Sequence, residues 1–462
     1  MNLVESVSRR RLSSSRDQSA ERSRVATRDR SSRSSIAAAC IPALIIITSF
    51  YDALLLTTMI SWTPRNDFGR AFASVESVAR GDKLYAYNAS IPWRLDQTHT
   101  IMLKNLNPPH FHILLEPLVG LSERAALEIW MIAGLICLLL SIARIGDEAR
   151  VALTLVEKGA AALASVVFVG TSTALVTGHM SFLLLLMFTF GWSAARSEKW
   201  TESGVWLGIA ASLKPFLLIF GVYYLIVRRA RAVLSFSIAL IACHLIGIVY
   251  YGTAAYGDWL ANLSDAGDWS YMPMNASIMG FLKREFTLNP IFPALAYISP
   301  RTIRAIWIAA SAAIGGASLL IASRKNEPTA VDRGFAIVMI AALLISPLGW
   351  TYYFWLPVGP AFALAYSRLR EANASSKPPQ AAFLASKYLV LAAIPGLALP
   401  VYATTIAESS YTFSLLINNL YFISLLCLFF ACLIDGLARA IGRDPVPGDD
   451  RLISQPLIIE SS

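Results

Sequence analysis

Long apolar runs, separated by short polar and basic segments, extend along most of this chain. Several runs contain the roughly 20 apolar residues that a helix needs to cross the ~30 Å hydrocarbon core of a bilayer. The pattern predicts membrane-spanning helices near residues 36–62, 124–143, 159–177, 180–196, 232–251, 303–322, 333–346, 350–367, 384–403 and 414–434. We therefore predict an all-α integral membrane protein, built as a polytopic helical bundle.

The apolar segment 203–227 favours a helical hairpin over a single span. Lys214 and Pro215 lie at its centre, where a proline breaks a helix and a lysine is costly in lipid. Basic residues flank both ends, with Lys199 before the segment and three arginines within residues 228–231 after it. Because basic loops prefer the cytoplasm, both ends are expected there. Counting the hairpin as two spans gives about 12 transmembrane helices, with both termini in the cytoplasm.

The composition supports a membrane location. Hydrophobic residues make up 56% of the chain and charged residues only 15%, with a mean hydropathy of +0.55, which is outside the range of soluble domains. No large polar segment follows the apolar runs. We therefore expect one transmembrane domain at residues 36–440, between a basic cytoplasmic tail at residues 1–35 and a short cytoplasmic tail at residues 441–462.

The basic tail contributes much of the formal net charge of +9. Residues 1–35 contain nine arginines, four acidic residues and little that could be buried, a composition typical of disorder. The charge fits a segment that orients the first span, and we expect no nucleic-acid partner. Binding of the tail to anionic lipid or to nucleic acid is the less favoured alternative.

The longest polar segment, residues 63–123, follows the first span and is predicted to lie on the outer face of the membrane. Apolar residues recur at helical spacing after Asp67, which predicts an amphipathic helix on the membrane surface that ends at Gly81. Asp67, in or just before the first turn, suits a helix cap. It also suits a catalytic base at the boundary between water and lipid.

The stretch NLNPPHFHILLEPL at residues 105–118 leads from the polar segment into an apolar run. Pro108 and Pro109 stop helix formation and favour an extended approach. His110 and His112 are two residues apart, which suggests structural hydrogen bonding and no metal site. The five cysteines lie in apolar runs without metal-binding spacing, so we expect neither a metal nor a cofactor.

An ordered set of short motifs runs from about residue 60 to residue 370. Its members are Asp67-Phe68, Gly81-x-x-Leu84-Tyr85, Asn107-Pro108-Pro109, Pro117-Leu118, Thr177-Gly178-His179, Lys214-Pro215 in GIAASLKPF, Asn275 and Ser277 in MNASIMGF, and Ser346, Pro347 and Trp350 in ISPLGWTYYF. The order and spacing resemble those of glycosyltransferase family 87.

The resemblance implies a GT-C membrane fold and a glycosyltransferase of the plasma membrane (the bacterial inner membrane), with its active site on the outer, periplasmic face. The expected reaction moves a sugar, mannose by analogy, from a polyprenyl-phosphate carrier to a lipid or glycan acceptor in the outer leaflet, with inversion. The resemblance also implies that Asp67 is the catalytic base, because inversion needs one carboxylate to take the proton of the acceptor hydroxyl.

Cations are expected to hold the lipid phosphate that leaves. Lys214 is the best candidate, because a lysine near membrane depth needs an anion, and snorkelling to the interface is its alternative. The expected substrate-binding residues are Lys214, Arg70, Tyr85, Asn107, Pro108, His110, Asn275, Ser277, Trp350, Tyr352 and Tyr353.

Two segments depart from the family pattern. Tyr352 and Tyr353 occupy positions where many members have a histidine pair, and Gly178-His179 replaces the usual Gly-Gln. His179 is expected to restore an imidazole to the site and is included as a catalytic residue. Asp52, in the middle of the first predicted span, is an intramembrane acid without an identifiable partner.

Two other classes of membrane protein compete with the transferase. A polytopic transporter is compatible with twelve spans and a discontinuous helix, although the two halves of the chain show no repeat. A lipid-linked polysaccharide polymerase or ligase also acts on the outer face, but such proteins typically rely on arginines in large outer loops.

Overall fold

A computed structural model of the chain describes residues 67–86, 91–94, 100–150, 155–264, 270–289, 293–324, 329–374, 381–399 and 411–441. The predicted first span with Asp52, and the tails at residues 1–35 and 442–462, lie outside these described residues. Within them the chain is mainly helical. One short antiparallel hairpin, not anticipated from the sequence, pairs β1 (Ile91–Arg94) with β2 (Thr100–Leu103).

Fifteen α-helices are present in the described residues. They are α1 (Asp67–Ala79), α2 (Glu123–Ala149), α3 (Leu155–Val167), α4 (Val169–Thr177), α5 (Ser181–Arg196), α6 (Trp200–Leu213), α7 (Ile219–Ile226), α8 (Ala230–Ser264), α9 (Ile278–Phe286), α10 (Pro300–Ala322), α11 (Ala330–Ile345), α12 (Val358–Ala374), α13 (Ala381–Ala398), α14 (Tyr411–Asn418) and α15 (Leu420–Ile441). Short 3-10 helices cover Pro109–Leu114, Glu116–Leu118, Pro215–Leu218 and Thr351–Tyr353.

Five of the described helices, α2, α8, α10, α13 and α15, are long and apolar enough to cross a membrane. Their outward sides carry large exposed apolar side chains, for example Leu139 of α2, Val249 of α8 and Leu320 of α10. Such surfaces suit lipid rather than water. The chain is a membrane protein with several apolar helices.

Helix α11 forms the centre of the bundle. All residues from Asp332 to Leu344 are buried, as expected for a helix that is apolar around its whole circumference. It packs against α5, α10, α12 and α15. At its start, Asp332 accepts a hydrogen bond from Trp192 Nε1 at 2.9 Å and lies 3.5 Å from Arg196.

The predicted reversal at Lys214 and Pro215 is confirmed. The beginning of α6 meets the end of α7, where the Ser203 and Tyr224 hydroxyls are 2.6 Å apart and the Arg229 guanidinium lies 4.3 Å from the Trp200 ring. With 14 residues, α6 rises about 21 Å, which is less than a full hydrocarbon core. The two arms therefore form a short hairpin that turns at Lys214.

Glycines let α6 lie directly on α8. A Cβ on Gly204 would stand 2.3 Å from the Ala232 carbonyl oxygen, and one on Gly208 would stand 2.4 Å from that of Phe236. Because no side chain fits in that space, these two positions require glycine. The close contact fixes the hairpin, and hence Lys214, relative to α8.

Several predicted boundaries were wrong. The predicted span 159–177 is broken at Phe168 into α3 and α4, and the Thr171 hydroxyl donates to the Ser165 carbonyl at the break. The span 232–251 is part of the longer α8, which continues past a kink at Gly252. The span 350–367 begins with a 3-10 turn and becomes helical only at Val358.

The amphipathic helix predicted after Asp67 is present as α1, but its polar side does not face water. The helix packs against α2 and the 3-10 helix Pro109–Leu114, and both Arg70 and Ser74, expected on its polar side, are buried. Asn105 reaches Ser74 from the following segment, with its Nδ2 donating to the hydroxyl at 2.8 Å. Residues after α1 thus cover the side that the sequence pattern assigned to water.

Candidate active site

A narrow cleft lies where α1, the segment after β2, α2 and the turn between α4 and α5 meet. Its walls are formed by Asp67, Phe68, Ala71, Asn107, Phe111, Trp130, Gly178, His179 and Met180. Asp67 is the carboxylate among these residues. The cleft therefore brings together three of the predicted site residues, Asp67, Asn107 and His179, which are far apart in the sequence.

Helix α1 presents Asp67 and Arg70 from its first turn. The two side chains form a salt bridge, and burial lowers the pKa of Arg70 to about 10, which leaves it charged at neutral pH. The helix ends in a Schellman motif, in which Gly81 has a φ of +88° and the Asp82 amide donates to the Ser77 carbonyl. This end confirms the predicted role of Gly81 as the residue that stops the helix.

Lys214, at the tip of the hairpin, contacts a residue of the cleft wall. Its Nζ donates to Asn107 Oδ1 at 2.9 Å, and Asn107 itself lines the cleft. Among the described residues, no carboxylate lies within salt-bridge distance of this ammonium group. An ammonium has three protons, so the contact with Asn107 leaves donor capacity for an anion.

The Pro-Pro-His segment is held by its own histidine. His112 Nδ1 lies 3.1 Å from the Pro108 carbonyl oxygen and 3.2 Å from that of Pro109, while its Nε2 lies 2.6 Å from Asn105 Nδ2. An amide nitrogen can only donate, so His112 is neutral with its proton on Nδ1. Burial lowers its pKa to about 4. This confirms the structural role predicted for His112.

Two other predicted site residues, Tyr85 and His110, do not line the cleft but contact the segment that carries Asn107. The Tyr85 hydroxyl donates to the Asn107 carbonyl at 2.5 Å. His110 lies 3.1 Å from both the Ser212 and the Tyr256 hydroxyl, and burial, followed by the neighbouring His244 and His112, lowers its pKa to about 3. Both side chains fix the segment that carries Asn107, and Pro108 shapes its backbone.

His179 and the two tyrosines that replace a histidine pair form one aromatic group. The His179 ring stacks on Tyr352 with centroids 3.9 Å apart, and its Nε2 lies 3.4 Å from the Tyr353 hydroxyl. The Ser181 hydroxyl is 2.7 Å from Nδ1. Burial, together with the nearby cations Lys214 and Arg70, holds the pKa of His179 well below its usual value, so the imidazole is neutral at pH 7.

The turn before Tyr352 is anchored by Asn275. Its Nδ2 donates to the Ser270 and Pro347 carbonyls, and its Oδ1 accepts from the Gly349 and Ser277 amides. Asn275 and Ser277 are both fully buried, and the Ser277 hydroxyl caps α9. Their expected contact with substrate is not supported by this burial. They shape the turn that presents Trp350.

Arg284 extends this support to the turn between α14 and α15. The guanidinium is fully buried and donates to the Tyr271 and Met272 carbonyls and to Asn419 Oδ1, at distances of 2.8–3.0 Å. Helix α9 is thereby tied to Asn419, between α14 and α15, and to the loop that leads to Asn275. Sequence reasoning missed Arg284 because its partners lie far away in the chain.

Sequence reasoning also missed Trp130. Its Nε1 donates to the Gly178 carbonyl at 2.9 Å, and its ring packs beside Phe68 and Phe111. A tryptophan near the end of a predicted span was the available signal, because such residues mark the membrane interface. Within the described ranges, His, Cys, Asp and Glu side chains do not gather in groups of three that could hold a metal.

Comparisons with known proteins show which sequences this chain resembles. The sequence profile of glycosyltransferase family 87 matches residues 105–347, a little more than half of the chain. A polyprenol-phosphate-mannose-dependent alpha-(1-2)-phosphatidylinositol pentamannoside mannosyltransferase of Mycolicibacterium smegmatis is 26% identical over 289 residues. This alignment covers 59% of the chain and 66% of the relative, just under two thirds of its length. No solved structure gives a significant match.

The profile match contains Asn107 and His179 of the cleft and Lys214 next to it, and it begins after Asp67 and Arg70. The family resemblance seen in the ordered motifs is therefore confirmed over the part of the chain that holds most of the site. This chain belongs to glycosyltransferase family 87.

Proposed function

We propose that this protein is a membrane glycosyltransferase that moves a mannosyl residue from a polyprenyl-phosphate carrier to a lipid or glycan acceptor, with inversion. The observation that supports it best is a cleft lined by Asp67, Asn107 and His179. Two cations contact its walls, because Arg70 pairs with Asp67 and Lys214 donates to Asn107. The relative from M. smegmatis uses polyprenol-phosphate-mannose, as its name states, and this donor class suits the cations of the cleft.

Asp67 acts as the base in this proposal. A single carboxylate suffices for an inverting displacement, because the acceptor oxygen attacks the anomeric carbon directly while its proton passes to Oδ. The ion pair with Arg70 keeps Asp67 ionised before substrates arrive. When the donor phosphate enters and attracts Arg70, the carboxylate becomes available to the acceptor hydroxyl.

Lys214 and Arg70 hold the leaving phosphate. Charge builds up on the phosphate oxygen as the bond to the sugar breaks, and fixed cations in a poorly hydrated cleft stabilise that charge. Lys214 is oriented by Asn107 and by the tip of the hairpin, so its position requires little rearrangement. In the aromatic group of His179, Tyr352 and Tyr353, His179 lines the cleft and offers a stacking surface to the sugar.

A location of this cleft on the outer, periplasmic face of the plasma membrane is supported by the distribution of charge. Arg144, Glu148 and Arg196 join the ends of α2 and α5 in a salt-bridge group with Asp332. The cleft lies at the opposite ends of α2 and α5, near Trp130 and Met180. The positive-inside rule assigns the arginine-rich end to the cytoplasm. A GT-C fold of about 12 spans, with both termini inside, completes the proposal.

A donor screen with the purified, lipid-reconstituted protein tests this function. We expect transfer of labelled mannose from polyprenyl-phosphomannose to a lipid extract, and none from a nucleotide sugar. The product should have the anomeric configuration opposite to that of the donor. Retained configuration would exclude a single displacement, and transfer from the nucleotide sugar alone would overturn the donor class.

A further inference from the structure

Helix α8 turns sharply at Gly252. In a straight helix, residues that are twelve positions apart are separated by about 18 Å along the axis. The Tyr256 hydroxyl nevertheless donates to the His244 carbonyl at 3.1 Å, because Gly252 adopts a φ of 79° and a ψ of 166° between them. Residues 253–264 are termed the return arm of α8. This arm reaches the segment of the chain that carries Asn107.

Residues 105–108 form neither helix nor strand, and side chains satisfy their backbone carbonyls. In chain order, these four carbonyls accept from Asn262 Nδ2 at 3.3 Å, Trp259 Nε1 at 3.1 Å, the Tyr85 hydroxyl at 2.5 Å and His112 Nδ1 at 3.1 Å. A segment without its own hydrogen-bond ladder takes its position from such partners. The return arm supplies two of the four donors.

The two donors of the return arm are themselves held in place. The Trp259 ring is buried, and its centroid lies 6.2 Å from that of His244 and 6.0 Å from that of Tyr256. Asn262 is half-buried and follows three residues later, so both side chains project from one face of the arm. The indole N–H and the amide therefore reach successive carbonyls of the segment from a fixed framework.

Two routes connect the return arm with the tip of the hairpin. The first runs through the held segment to Asn107, whose Oδ1 accepts from Lys214 Nζ at 2.9 Å. The second runs from the Tyr256 hydroxyl to His110 Nδ1 and from His110 Nε2 to the Ser212 hydroxyl, each at 3.1 Å. Ser212 lies two residues before Lys214. The described residues that line the cleft include none from the arm, so the arm acts on Lys214 from outside the cleft.

We propose that Trp259 and Asn262 are positioning residues, which fix the backbone at residues 105–107 so that Asn107 orients the Lys214 ammonium toward the leaving phosphate. This inference rests on the proposed function. A cation that is oriented in advance stabilises the phosphate without rearrangement. Loss of either donor leaves a backbone carbonyl without its partner and lets the segment move. Asn107 then orients Lys214 less well, and the phosphate binds more weakly.

A double-mutant cycle tests whether Trp259 acts through Lys214. The dissociation constant of labelled polyprenyl phosphate is measured for Trp259→Phe, which removes the indole N–H, in the wild-type and the Lys214→Met backgrounds. We expect a rise of about fivefold in the wild-type background, the usual effect of one hydrogen bond. In the Lys214→Met background the rise should be less than about twofold, because no ammonium remains to be oriented. A merely structural effect would be equal in both backgrounds.

Trp192→Phe is the matched control, because it removes a buried indole hydrogen bond to Asp332 at the opposite end of α5. It should lower the unfolding temperature and leave the dissociation constant unchanged. The inference is overturned if Trp259→Phe binds polyprenyl phosphate as the wild type does, if its effect is equal in both backgrounds, or if Trp192→Phe weakens binding as much. A wild type that does not bind polyprenyl phosphate, or binding that Lys214→Met leaves unchanged, would instead refute the proposed function, and the inference with it.

Hydrogen exchange of the wild type gives a second measurement that needs no variant. Coupling between two sites is reciprocal, so an anion that fixes Lys214 should also stabilise the elements that orient it. Polyprenyl phosphate should slow amide exchange in residues 253–264 and 105–107, relative to the same concentration of uncharged polyprenol. Slower exchange at the hairpin tip alone, with an unchanged return arm, would overturn the inference.

Discussion

Lys214→Met removes the half-buried cation next to the cleft and keeps a side chain of similar reach. The ammonium contacts Asn107 at 2.9 Å and, in the proposed complex, one oxygen of the donor phosphate. Hydrogen bonds that involve charged groups contribute about 1.5–3 kcal/mol. Two opposite charges about 4 Å apart, at an effective dielectric constant near 20, attract by about 4 kcal/mol before desolvation is counted.

Arg70 also binds the phosphate in the proposed complex. Lys214→Met should therefore reduce the binding free energy of the phosphate by about 2–3 kcal/mol, the contribution of one charged hydrogen bond. This corresponds to roughly 30- to 150-fold weaker binding of the anion. The inhibition constant of polyprenyl phosphate, the reaction product, measures this quantity directly. KM for the donor should rise in parallel, while the affinity for the acceptor stays the same.

Two variants separate the charge from its surroundings. Lys199→Met removes a lysine at the start of the same hairpin, where the side chain is 67% exposed, and should leave the inhibition constant unchanged. Asn107→Leu removes the orienting partner but keeps the cation, and should weaken inhibition less than Lys214→Met does. An inhibition constant for Lys214→Met within about threefold of the wild type would refute the assignment of Lys214 to the phosphate.

Three further predictions concern the framework around the cleft. Asn275→Ala should lower the thermal unfolding temperature and the transfer rate together, because four buried hydrogen bonds are lost at about 1 kcal/mol or more each; an unchanged unfolding temperature would contradict the anchoring role. Gly252→Ala should destabilise α8 by about 1–3 kcal/mol, because its φ of 79° and ψ of 166° suit only glycine. Gly257→Ala, one turn further along, is the control and should cost nothing, so equal losses in both variants would argue against backbone strain. His112 has a pKa of about 4 in the folded protein and near 6.5 in the unfolded chain, so the unfolded chain takes up the proton first as the pH falls. The free energy of unfolding should therefore decrease by up to about 3 kcal/mol between pH 6.5 and pH 4. His112→Gln should flatten this part of the plot of unfolding temperature against pH, and an unchanged slope would show that other groups cause it.

Local signals in the sequence predicted the parts of the fold that local physics determines. Gly81 ends α1 because a left-handed residue closes a Schellman motif, and glycine adopts that conformation without strain. The hairpin at Lys214 followed from a proline that breaks a helix and from basic residues at both ends of one apolar segment. Each of these arguments needs only neighbours in the chain.

Contacts between distant segments decided what the sequence could not predict. The end of α8 was predicted near residue 251, where the apolar run stops, yet the helix continues to Ser264. The added part is held by hydrogen bonds from Trp259 to the Leu106 carbonyl and from Asn262 to the Asn105 carbonyl. Arg70 likewise looked water-facing by helical periodicity, but the segment from Asn105 onward covers that side of α1. Periodicity measures the polarity of a face and does not identify the element that packs on it.

The same reason limits the prediction of the site. The motifs identified Asp67, Asn107, His179 and Lys214, which the fold brings together around the cleft. They could not distinguish these residues from Asn275, whose four hydrogen bonds anchor a turn. A polar residue in a motif can contact substrate or hold the backbone, and only its partners in three dimensions separate the two roles.

Asp67 is the residue on which the proposed chemistry depends. Asp67→Asn keeps the shape of the side chain and removes its ability to take a proton, and Glu76→Gln makes the same change at a carboxylate further along α1. The decisive measurement is single-turnover transfer from polyprenyl-phosphomannose by the two variants, combined with the inhibition constant of polyprenyl phosphate. We expect Asp67→Asn to slow transfer by at least about a hundredfold, the usual contribution of a general base, with inhibition retained, and Glu76→Gln to behave like the wild type. Transfer by Asp67→Asn at a rate close to that of the wild type would contradict the account.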